Sequence, residues 1–94
     1  MNIEDIFEKH NDEYLKFERV VNPLHPRSDL AGFLLLDKIA PGTNDMISAA
    51  EHDEFFLDVD MEGFKKVATE ENIITLIRCG IRYSSEYDCF CMFA

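Results

Sequence analysis

Apolar residues recur at intervals of four and three through Ile3, Phe7, His10, Tyr14, Phe17 and Val21, which is one stripe of an amphipathic helix. Ile6 and Val20 widen the stripe, Asn2 is placed to cap it, and Glu4 and Asp5 suit the positive end of the helix dipole. Asn22-Pro23 should end this helix, and Pro23-Leu24-His25-Pro26 reads as a stiff extended connector. A second helix is expected from Ser28 or Asp29 through Leu30, Phe33, Leu34, Leu35, Leu36 and Ile39, with Pro41-Gly42 as its stop. It is apolar almost all round, which predicts the central helix of the core.

The period then changes to two. Phe55, Leu57 and Val59 alternate with Glu54, Phe56, Asp58 and Asp60, the pattern of a strand. Ile47 to Glu51 reads as a partner strand turning at His52-Asp53, although Ala49 and Ala50 would also suit a short helix. Asp60 is an N-cap for a short helix through Phe64 and Val67. Thr69 caps another, with Glu70 and Glu71 in its first turn and Ile73, Ile74, Leu76 and Ile77 inside; Gly80 fits the left-handed position past its end. Ile81-Arg82-Tyr83, a polar turn at Ser84-Ser85-Glu86, and Cys89 to Phe93 form a C-terminal hairpin. The expected fold is a single α+β domain over residues 1–94, with three or four helices packed on one face of a small antiparallel sheet.

Charge narrows the function classes. Nineteen acids oppose nine bases for a net charge of −10, and residues 37–62 hold eight acids against Lys38 alone. Such a field repels phosphate backbones and anionic membranes, so direct nucleic-acid or membrane binding is not expected. The acidic start, Met1-Asn2-Ile3-Glu4-Asp5, is unlike a signal peptide, and apolar runs such as Phe33 to Leu36 are far too short to span a bilayer. Three cysteines clustered at Cys79, Cys89 and Cys91 are an odd number for a disulfide framework. They predict free thiols in a reducing cytoplasm.

Two stretches resemble uncharacterised small proteins encoded by bacteriophages and prophages. One is Asp45-Met46-Ile47-Ser48-Ala49-Ala50-Glu51-His52-Asp53-Glu54; the other is Ala68-Thr69-Glu70-Glu71 running into Leu76-Ile77-Arg78-Cys79-Gly80. The resemblance implies a phage-related role and brings no activity, cofactor or catalytic residue with it.

No P-loop, dinucleotide fingerprint, nucleophile elbow, paired-histidine zinc helix or Cys-x-x-Cys pair is present. Glu51-His52-Asp53-Glu54 gathers four potential metal or acid–base groups, with His52 and Asp53 the metal candidates, but in a strand neighbouring side chains face opposite ways. A polar hairpin end is the simpler reading. Cys89 and Cys91 could join Cys79 and a histidine around zinc, but small core residues beside Phe93 account for the same pattern. His10 in the apolar stripe reads as a half-buried, hydrogen-bonded residue.

The most suggestive feature is an acid-lined strand face. Glu54, Asp58 and Asp60 share it with Phe56 and could present a phosphate-like row to a basic groove, with Phe56 as apolar anchor. In the terminal strand Cys89, Cys91 and Phe93 point one way and Phe90 and Met92 the other. A sheet covered on one side would leave Phe90 and Met92 outward, which predicts a homodimer or partner contact there. The expected function is a small, acidic, non-enzymatic binding or regulatory module without a cofactor, a phage accessory protein engaging a basic protein surface. The alternative is a small metal-assisted hydrolase built on the Glu51–Glu54 cluster.

Overall fold

A computed structural model describes residues 2–94. Four α-helices, α1 (Ile3–Lys9), α2 (Ser28–Ile39), α3 (Met61–Val67) and α4 (Glu70–Arg78), accompany four strands, β1 (Ile47–Glu51), β2 (Glu54–Leu57), β3 (Arg82–Ser84) and β4 (Cys89–Phe93). The sheet is antiparallel in the order β1-β2-β4-β3. This is the α+β architecture with a C-terminal hairpin that the periodicities predict. Helices cover one face of the sheet, and no helix among the described residues is long and apolar enough to cross a membrane.

The centre of the core is α4, not α2. Both ends of α4 are closed by its own sequence. The Thr69 hydroxyl accepts from the Asn72 backbone at 3.1 Å while the Asn72 side chain accepts from the Thr69 backbone at 2.9 Å, a reciprocal cap. At the far end Gly80 has φ +94°, and the Ile81 and Gly80 amides donate back to Leu76 and Ile77 at 3.0 Å each. Between the caps Ile73, Leu76 and Ile77 are buried against Leu57, Phe64 and Phe90. Helix α2 has more apolar side chains but leaves Leu30 and Leu34 exposed; only Ala31, Gly32 and Leu36 of its length are buried. It packs tightly at Gly32, where a methyl group would stand 3.1 Å from an Ile81 side-chain carbon. Similarly, α3 buries Phe64 but exposes Val67.

The first helix is much shorter than its stripe. It ends at Lys9, and the chain continues through 3₁₀ turns at Asn11–Glu13 and Phe17–Arg19, with Leu15 left-handed at φ 61°. The cause is non-local. Glu13 is buried and its carboxylate accepts from Arg78 of α4, with Nε at 2.8 Å and Nη2 at 2.6 Å, while Arg19 pairs with its other oxygen. The Arg78 hydrogen bond, followed by both guanidinium charges, holds the Glu13 carboxyl below its ordinary value despite burial. The Leu15 amide donates to Ile77 at 3.2 Å, which ties the same segment to α4. These contacts commit the segment to α4 in place of further turns of the first helix. Val21, the predicted end of the stripe, is 84% exposed.

The expected orientation of β4 is reversed. Phe90 is wholly buried, packed edge-on against Phe64 at 4.8 Å and beside Phe7 and Tyr83, and Met92 is half-buried toward the same layer. Phe90 therefore cannot anchor a contact between copies. The strand carries apolar residues on both faces, so alternation alone does not say which set meets the helices.

Candidate functional site

The outward face of the sheet is set by register. Phe56 of β2 lies opposite Cys91 of β4, Glu54 opposite Phe93, and Arg82 of β3 opposite Cys91 from the other side. Arg82 and Glu54 thus flank β4 and reach across it, with a guanidinium nitrogen 3.0 Å from the carboxylate and the guanidinium carbon 4.4 Å from the Phe93 ring centre. Beneath them Cys91 is 2% exposed; burial, then its hydrogen bond with Glu54, pushes its thiol up to about 12.

Beside this pair lies an aromatic group. Tyr87, from the β3–β4 turn, meets Phe56 edge-on at 5.5 Å, and Phe93 stands 52% exposed. A shallow recess of about 410 Å³ is lined by these three rings and by the exposed acids Glu51, Asp53 and Glu86. Exposed rings with an acidic rim can hold the aliphatic stem and charged head of a lysine or arginine.

The predicted partner row is split by this geometry. Glu54 and Phe56 are on the outward face, but β2 ends at Leu57, so Asp58 and Asp60 do not continue the row along a strand. The Asp58 amide donates to Met46 at 2.6 Å, and Asp60 occupies the N-cap position of α3. Arg82, Tyr87 and Phe93 escaped sequence reasoning because β3–β4 register and the orientation of β4 were needed to bring them together.

The hairpin turn falls at His52-Asp53 as expected, with His52 at φ 56°. The His52 side chain is 90% exposed and its Nε2 lies 3.7 Å from Glu51. Among the described residues no group of three or more histidine, cysteine or acidic side chains is placed to hold a metal ion. The three cysteines are free, and burial pushes Cys79 up to about 11 and raises Cys89. His10, at the end of α1, is 2.6 Å from Glu70 of α4, whose carboxyl is lowered by His10 and then by Lys9. It is a half-buried tether between helices.

A second hollow, of about 560 Å³, lies between α1 and β3. Phe7, Tyr14 and Tyr83 line it, with Glu4 and Glu8 along one side. The Tyr83 hydroxyl donates to Asp88 at 2.5 Å, and that bond, with burial and the Asp88 charge, pushes the phenol up to about 12.

No family model, curated protein or solved structure matches this chain. Its own surface is the guide to function.

Proposed function

We propose that the chain is a small acidic, non-enzymatic binding module whose outward sheet face engages a basic protein surface. The observation that carries this reading is the pair of exposed rings, Tyr87 and Phe93, beside half-buried Phe56 inside a rim of Glu51, Asp53 and Glu86. The rings offer apolar area at low entropic cost, and the rim gives the field that steers a cationic partner. The net charge of −10 extends that field over the molecule. A phage accessory role, with a host protein as partner, is the setting implied by the sequence resemblance, and protonated free thiols are compatible with a reducing cytoplasm.

The test is binding kinetics at two ionic strengths against a partner recovered with the full chain from a bacterial host. Association should slow sharply between 0.1 and 1 M salt, since the screening length falls from about 10 Å to 3 Å. Glu51→Lys with Glu86→Lys should slow it further, and Phe93→Ala should mainly speed dissociation. Affinity indifferent to salt and to all three changes would overturn the proposal.

A further inference from the structure

The hollow between α1 and β3 has no part in the proposed partner face. It exists because α1 stops at Lys9: the chain turns away through its 3₁₀ segment, and Tyr14 closes one end instead of continuing along the helix. Phe7 and Tyr83, in contact with 6.0 Å between ring centres, form one side of it, and the buried side chains of Ile77 and Ile81 also line it. Its volume of about 560 Å³ falls in the range of small-molecule sites.

Charge specifies the ligand class. Glu4 and Glu8 are one turn apart on the same flank of α1, a like-charge pair that disfavours the helix unless a cation lies near. Among the described residues neither forms an ion pair: Lys9, the nearest base in sequence, goes to Glu70 instead. Arg82 also lines the hollow, but its guanidinium is held by Glu54 and the Phe93 ring on the outward sheet face. Three aromatic rings and two carboxylates that form no ion pair among the described residues, set around one apolar floor, are the surroundings that favour an alkylated ammonium group over a neutral or anionic one of equal size.

We infer that this hollow is a binding site for a compact organic cation of the alkylated-ammonium class. Choline is the probe, and 3,3-dimethyl-1-butanol is its neutral counterpart of the same shape. Titration of the isotope-labelled full chain should shift the resonances of Phe7, Tyr14 and Tyr83, and choline should bind about ten-fold more tightly than the neutral alcohol, the combined worth of one cation–π contact and weak carboxylate attraction. Glu4→Gln with Glu8→Gln, both exposed and outside the core, should weaken choline several-fold and leave the alcohol unchanged. Tyr14→Leu should weaken choline as well; if that variant fails to fold, the double glutamine variant decides alone. Equal affinity for choline and alcohol would reduce the site to an apolar groove. Choline binding unaffected by the glutamine pair, or resonance shifts confined to Phe56, Tyr87 and Phe93, would overturn the assignment.

Discussion

The two faces of the sheet are made by the same strands and meet opposite surroundings. Inward, Leu57 and Phe90 are 1% and 0% exposed under the helices. Outward, Phe56 and Phe93 share their face with a glutamate–arginine pair and remain partly in water. The difference is not in hydrophobicity, since Cys89-Phe90-Cys91-Met92-Phe93 is apolar at every position. It lies in what each set of side chains meets: rings of Phe7, Phe64 and Tyr83 on one side, Arg82 and Glu54 on the other. Apolar residues in a strand mark an interior only where a second layer arrives to cover them.

The sharpest way to break this comparison is to shorten one phenylalanine on each face. Phe90→Ala should cost about 3–5 kcal/mol in denaturant unfolding, as for a large ring removed from a packed core. Phe93→Ala, half in water and without a cavity to leave behind, should cost less than about 1 kcal/mol. Equal losses would erase the distinction between the faces.

A smaller effect should come from the charges on the outward face. Arg82→Ala removes a partly exposed ion pair and a cation–π contact together, for a loss near 1 kcal/mol, and a double-mutant cycle with Glu54→Ala should give a coupling no larger than that. A coupling of several kcal/mol would mean that this face is a second core.

Alkali tests burial on both faces at once. Cys79, Cys91 and Tyr83 carry folded-state values of about 11, 12 and 12, above their ordinary 9, 9 and 10. Their neutral forms are favoured by folding, so this stabilisation is complete below pH 9 and is lost as pH rises from there toward 12. Thiol labelling near pH 8 should reach half-buried Cys89 before Cys79 or Cys91. Fast stoichiometric labelling of Cys91 would mean that the outward face is more open than its geometry.

Acid should produce the gentlest change. Glu13, Glu70 and Asp88 lie below their ordinary 4.5, 4.5 and 3.8, so the stability that they contribute is present above those values and fades as pH falls through the lowered ones. Glu13→Gln should flatten the acid limb of the stability profile more than Glu51→Gln, whose carboxylate lies beside exposed His52.

What the sequence made legible was local. The Thr69 cap, the Gly80 stop and the His52-Asp53 turn each depend on a few neighbouring residues, and all three stand where composition puts them. What it hid was set across long separations. Glu13 meets Arg78 across 65 positions, and that encounter, invisible to helical periodicity, cut the first helix short. The candidate face was half legible: Glu54 and Phe56 were found from alternation, whereas Phe93 and Tyr87 required knowing which strand lies beside β2. The hollow of Phe7, Tyr14 and Tyr83 could not be foreseen while Tyr14 was assigned to a continuous helix.

The strand order β1-β2-β4-β3 has a consequence for biosynthesis. β4 is the latest of the four strands to leave the ribosome, yet it occupies an interior place between β2 and β3. Until it emerges, β2 has only β1 beside it, β3 has no hydrogen-bonded neighbour, and the rings of Phe7 and Phe64 lack the Phe90 ring that they pack against. The nascent chain can form its helices and the β1–β2 hairpin, but the sheet must close after β4 is translated, in a step limited by long-range pairing. During that interval its exposed apolar surface would be open to chaperones, and its strong negative charge would oppose clumping with other copies.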